Sequence, residues 1–134
     1  MALLERLDLN AIADQPFGQL SDGQRRRLMI ARALVHAPEV LVLDEPGRAL
    51  DLKACHQLLR TLRELCRGGT TLVQVTHRID TIVPEMQRVL SLNAGAIVGD
   101  GAPEEMLTTE RLSKLFDTDL QVVEANGYRQ VLPR

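Results

Sequence analysis

Aromatic side chains are scarce. Phe17, Phe116 and Tyr128 are the only ones among 134 residues, and tryptophan is absent. Sites for single-stranded nucleic acid interleave aromatic platforms with basic residues. No such interleaving occurs here, so no nucleic-acid partner is expected. Lysine is scarcer still, with Lys53 and Lys114 alone, and the formal net charge is only −2. That balance gives no general drive towards nucleic acid or lipid headgroups. No apolar run approaches the roughly 20 residues of a membrane span, and no signal peptide opens the chain. Any membrane link is therefore expected to run through a partner protein. The only two cysteines, Cys55 and Cys66, lie about three turns apart on one expected helix. That is roughly 16 Å at helical rise, beyond disulfide reach. They read as core residues, and the cytoplasm as the matching compartment.

What is present centres on Leu20 to Asp51. Ser21 and Gln24 have the Ser-x-x-Gln spacing of a capping box. A helix is expected from Ser21 to about His36, with Leu28, Ala31, Leu34 and Val35 at core spacing. A helix N-terminus exposes N–H groups and partial positive charge, which suits phosphate. Gly23 would let a ligand approach that backbone closely. Arg25, Arg26 and Arg27 make a basic first turn, read as a solvated face or as a hold on an anion. After Pro38, Val40 to Leu43 reads as a strand buried on both faces. Asp44 and Glu45 follow at its end, where parallel α/β sheets bind ligands. An acid there can hold Mg²⁺ and its neighbour can orient a water.

A second helix is expected from Asp51 to Arg67, stopped by Gly68-Gly69. Thr70 to Thr76 is the next strand. A strand–helix–strand crossover over Val40 to Thr76 brings His77 to the same sheet edge as Asp44 and Glu45. Near the N-terminus, Ala2 to Leu9 has helical spacing and Asn10 to Asp14 adds a turn, ended by Gln15-Pro16-Phe17-Gly18. Asp80 to Met86 reads as helix interrupted at Pro84. Arg88 to Leu92 and Ala96 to Val98 read as a hairpin around Asn93-Ala94-Gly95. Pro103 suits a helix start, and another helix runs from Thr109 to Phe116. Gln121 to Glu124 and Tyr128 to Leu132 flank Asn126-Gly127, a strong turn signal.

In this order the motifs resemble those of the ATP-binding-cassette (ABC) ATPases. Leu20 to Gln24 is similar to their signature, Val40 to Glu45 to their Walker B strand with its catalytic glutamate. Leu50-Asp51 is similar to the end of their D-loop and His77 to their switch histidine. Asp22 departs from the usual glycine, and Gly47-Arg48-Ala49 from the usual small polar residues. The resemblance implies an α/β fold: part of a P-loop NTPase sheet, parallel strands with crossover helices, then a C-terminal antiparallel hairpin region. It implies three stretches within the C-terminal part of one nucleotide-binding domain. Residues 1–36 would end the helical subdomain, 37–92 form the core and 93–134 a C-terminal addition.

The resemblance also implies roles. Glu45 would activate the attacking water and His77 hold the γ-phosphate. Asp44 would support Mg²⁺ through water. Ser21, Gly23 and Gln24 would face ATP held by a second, head-to-tail cassette, with Asp51 in contact across the dimer. The implied partners are that cassette and a transmembrane permease, with the chain peripheral to the membrane on the cytoplasmic side. Gly95-x-Ile97 and Gly101-x-Pro103 followed by Leu107-Thr108 are similar to importers of metal chelates or molybdate. The phosphate-gripping Gly-x-x-x-x-Gly-Lys is absent, since neither lysine follows a glycine. The expected function is thus part of an ATPase powering import, inactive without that loop. The alternatives are a soluble ABC protein outside transport, or a non-catalytic module lending its signature to an intact partner.

Overall fold

The computed structural model describes residues 3–134. They divide into two compact units, one ending at His77 and the other running from Arg78 to Arg134.

The first unit opens with α1 (Leu3–Arg6), then 3-10 turns at Asn10–Ile12 and Phe17–Gln19. Helix α2 (Asp22–Leu34) follows. Its N-cap, Ser21, forms both halves of the capping box: Oγ accepts from Gln24 N–H at 3.2 Å, and Gln24 Oε1 accepts from Ser21 N–H at 2.8 Å. Strand β1 (Val40–Asp44) pairs in parallel with β2 (Thr71–Val75), matching Val42 with Val73 and Asp44 with Val75. Helix α3 (Leu52–Arg67) connects them and carries the densest apolar stripe, including Leu58, Leu59 and Leu62.

Strand β1 was expected to be buried on both faces, and it is not. Leu41 and Leu43 are buried, whereas Val40 and Val42 are 55% and 65% exposed. Side chains alternate across a strand, so Val73, the partner of Val42, and Val75, two residues on, share the open face. The apolar run records two covered faces, and the described residues cover one. Among the cysteines, Cys55 is buried but Cys66 only half-buried, because it sits in the last turn of α3.

In the second unit, a short 3-10 turn (Ile79–Thr81) stands where helix was expected as far as Met86. Ile82 is already extended, at ψ 117°. Pro84 disfavours helical backbone at the residue before it, and too few residues remain to nucleate a helix. Strands β3 (Val89–Asn93) and β4 (Ala96–Gly101) form one hairpin. Its turn is two residues, Ala94 and Gly95, both at positive φ, rather than the three-residue Asn93-Ala94-Gly95. Helix α4 (Pro103–Met106) begins on its proline, and α5 (Thr109–Phe116) is capped by Thr108. Strands β5 (Leu120–Ala125) and β6 (Tyr128–Pro133) close around Asn126-Gly127, again with both residues at positive φ. That is the backbone of a primed two-residue turn, which matches strand twist. Ile79, Leu107, Leu112 and Leu120 form this unit's core.

Candidate functional site

The ends of β1 and β2 and the start of α2 meet in the first unit. Glu45 follows the last residue of β1, and its N–H donates to Val75 O at 2.8 Å, one rung beyond the strand. There the chain turns: Glu45 has φ 45°, and Arg48 N–H donates back to Glu45 O at 3.0 Å. The turn sends the Glu45 side chain across to the end of β2. Its Oε1 accepts from His77 N–H at 2.8 Å and meets His77 Nδ1 at 2.6 Å. Its Oε2 accepts from Thr76 Oγ1 at 3.1 Å.

Burial alone would raise the Glu45 carboxyl's pKa. The donors from His77 and Thr76 outweigh it and hold the group below its ordinary value. Glu45 is therefore a carboxylate at neutral pH, and its partner at Nδ1 is the donor. A carboxylate offers about four lone pairs. Two on Oε1 and one on Oε2 are taken, which leaves Oε2 with room to accept from one water. The His77 ring itself is 72% exposed.

Asp44 sits one residue earlier, exposed at the strand end on the open face. Its carboxylate makes no hydrogen bond or ion pair among the described residues. Mg²⁺ is commonly held by one or two carboxylates, with phosphate oxygens and water completing its shell. An exposed, uncommitted carboxylate fits that use. No group of three or more acidic, His or Cys side chains able to enclose a metal occurs among the described residues.

At the start of α2 the cap consumes the N–H groups of Ser21 and Gln24. Those of Asp22 and Gly23 are left without intrahelical acceptors. A Cβ added at Gly23 would lie 3.0 Å from Ala49 O. The close approach that glycine permits is thus made by the loop after Glu45. Asp22 points outward, 81% exposed, with Arg25 Nη1 3.7 Å away.

Asp51, read from the sequence as an inter-subunit contact, is the N-cap of α3. Its Oδ1 accepts from Ala54 N–H at 2.7 Å. Asp51→Ala is expected to cost about 1 kcal/mol of stability, and Asp51→Asn far less. Urea unfolding of the two variants checks this, and equal losses would contradict the capping role.

The three arginines do not form a purely solvated face, although the Arg25 side chain keeps 42% of its surface exposed. All three are half-buried and donate to backbone carbonyls. Arg25 Nε reaches Leu20 O at 2.8 Å, and Arg27 Nη1 reaches Leu7 O and Asp8 O, each at 3.1 Å. Arg26 Nη2 donates to Glu45 O at 2.7 Å and also to Asp44 O. Arg26 and Thr76 are the site residues that sequence reasoning missed. The one signal for Arg26 was its place near the start of α2, and nothing in the sequence said which carbonyls it would meet.

The sequence and fold are similar to those of known proteins. A family described as ABC transporter matches residues 1–48. An uncharacterised ABC transporter ATP-binding protein, YlmA of Bacillus subtilis (strain 168), is 38% identical over 92% of this chain and 47% of its own length. The hemin import ATP-binding protein HmuV of Rhodococcus jostii (strain RHA1) is 35% identical over 95% of the chain and 44% of its own length. Among solved structures, an inward-facing ABC transporter assigned to the metal-chelate type superposes with TM-score 0.80. It is 30% identical over 98% of this chain and 54% of its own. A dimeric ATP-binding cassette in a post-hydrolysis state with ADP and Pi superposes at TM-score 0.68. It is 31% identical over 75% of this chain and 44% of its own. The chain belongs to the ABC ATPase family. It spans about half the length of the curated relatives it matches.

Proposed function

We propose that these residues form the signature-bearing and hydrolytic half of an ABC ATPase that drives solute import. The observation that carries the reading is the ionised Glu45, held by His77 and Thr76 at the sheet edge and joined through Arg26 to α2. In this reading the Ser21 hydroxyl and the N–H of Gly23 receive the terminal phosphate of ATP held by a second cassette. Gln24 keeps that turn in shape through the cap. On the chain's own side, Asp44 holds Mg²⁺, which when bound neutralises charge on the phosphates. The open lone pair of Glu45 aligns the attacking water and takes its proton. His77 faces the terminal phosphate while holding Glu45. Phosphoryl transfer rests mainly on positioning and charge stabilisation, and these residues supply both.

The partners are a second cassette and a membrane permease, and the complex works at the cytoplasmic face. No helix among the described residues is long and apolar enough to cross a membrane. Relatives named for hemin import and for metal-chelate transport make a metal chelate the first cargo to test. The non-catalytic alternative draws on Asp22 and on the missing phosphate-gripping loop.

Because that loop is absent from the 134 residues, this chain alone is expected to bind Mg-ATP no tighter than about 1 mM, beyond ordinary calorimetric detection. Joined to a cassette half that carries the loop, it is expected to bind and hydrolyse ATP. Micromolar binding by the chain alone would overturn the division of labour. Binding without hydrolysis in the joined form would favour the non-catalytic module.

A further inference from the structure

Glu45 is a non-glycine residue at φ 45°, a conformation that L-residues avoid because Cβ crowds the following carbonyl. Such a residue keeps this backbone only when its surroundings over-determine it. The surroundings are unequal. On the side of Asp44, the strand ladder ends. On the far side, the Arg48 N–H donates back to Glu45 O and closes the turn.

We propose that Arg26 is a positioning residue for Glu45: its guanidinium clamps the carbonyls on both sides of Glu45 and so fixes where the carboxylate points. One nitrogen, Nη2, donates to Asp44 O and Glu45 O together. Those two oxygens bracket the φ and ψ of Glu45. With both held, the Cα–Cβ direction is set, and the side chain arrives under His77 N–H and Thr76 Oγ1. Arg26 Nε is buried with no acceptor among the described residues. An unmet buried donor is unfavourable, so the contacts of Nη2 outweigh a cost that a shorter or uncharged side chain would avoid. Lysine can donate twice from one nitrogen, but its ammonium is strongly hydrated and sits on a flexible stem, so it is expected to substitute only in part. The clamp also has a direction. Arg26 is the fifth residue of α2, two past the capping box, so the same helix end that offers N–H groups to phosphate also steadies Glu45.

The inference rests on the reading of Glu45 as the water-aligning base, and the test separates the two. Hydrogen exchange on this chain alone reads the position of the carboxylate, because the His77 amide is protected by Glu45 Oε1. The Thr71 amide, bonded to Glu39 O at the far end of the sheet, is the control. Arg26→Met keeps the apolar stem and removes the donors. It is expected to speed exchange at His77 about tenfold, with Thr71 unchanged and Arg26→Lys intermediate. In a complete cassette, Arg26→Met is expected to lower kcat about tenfold, with KM for Mg-ATP within about twofold of the parent. Unchanged protection at His77 would overturn the proposal. So would equal loss at His77 and Thr71 in both variants, since that marks general unfolding. If His77 is deprotected selectively but Glu45→Gln hydrolyses ATP normally, the positioning stands and the function assigned to Glu45 falls.

Discussion

Glu45→Gln, placed in a complete cassette, is expected to slow ATP hydrolysis by roughly 10²–10⁴-fold while nucleotide still binds. Glutamine keeps the shape, and its one amide oxygen can still accept from His77 N–H, but the NH₂ that replaces Oε2 can no longer accept from Thr76 Oγ1. Glutamine lacks the charge needed to take a proton from water, and its NH₂ offers donors where the carboxylate offers only acceptors. Nucleotide then persists between two cassettes, so an ATP-dependent dimer is expected to accumulate on size exclusion. Asp44→Asn should behave differently. Its exposed carboxylate contributes to no fold contact, so its loss should weaken Mg²⁺ dependence and nucleotide binding together. The acid behaviour of Glu45 gives a second readout. Its carboxyl lies below its ordinary value because donated hydrogen bonds outweigh burial. A depressed carboxyl contributes stability that is full above its unfolded pKa and is lost as pH falls through the folded one. The parent should therefore lose this contribution only under acid conditions, below the ordinary carboxylate range, and Glu45→Gln should lack that step. Hydrolysis near the parent rate in Glu45→Gln, or ATP-dependent dimers in Asp44→Asn but not in Glu45→Gln, would show the two carboxylates wrongly assigned.

The site's placement was legible where residue type and local spacing fix the outcome. Ser21 and Gln24 form a capping box because three residues of helix bring each side chain to the other's N–H. Asp44, Glu45 and His77 share an edge because two parallel strands joined by a helix end on the same side. The hairpins were legible from Gly95 and Gly127, which accept the positive φ of tight turns. Contacts that depend on long-range placement were not legible. Arg26 meets carbonyls 18 and 19 residues away, a meeting set by how α2 crosses the end of β1. Asp51 was expected through family resemblance to make contact across the dimer; its local role, an Asp directly before a helix acting as N-cap, is a further signal that was passed over. The open face of β1 is the remaining case. Val40 and Val42 have the composition of a fully covered strand, and composition alone does not say which residues do the covering.

The largest expected loss of stability comes from Leu62→Ala. Leu62 has no exposed surface, and it shares its helix face with Leu58, 1% exposed, and Leu59, 7% exposed. Truncating such a side chain removes its transfer free energy and leaves a cavity that rigid neighbours only partly close. The usual cost is about 2–5 kcal/mol. Whole domains are stable by about 5–15 kcal/mol, so this change alone can unfold much of the population. Leu52→Ala makes the matched control. It deletes the same atoms from the same helix, but Leu52 is 74% exposed, so its effect should stay within about 0.5 kcal/mol. The contrast bears on the site as well as on the core. Helix α3 packs against β2, whose end presents Thr76 and His77. Its first turn is capped by Asp51, directly after the loop that places Ala49 O against Gly23. Loosening α3 therefore loosens both walls around Glu45. In urea, Leu62→Ala should shift the midpoint downward with an unchanged slope, the mark of lost stability without a changed unfolded state. His77 amide protection should fall together with that of the β1–β2 ladder, unlike the selective loss expected for Arg26→Met. Equal midpoints for Leu62→Ala and Leu52→Ala would mean that α3 is not the element on which this unit's core is built.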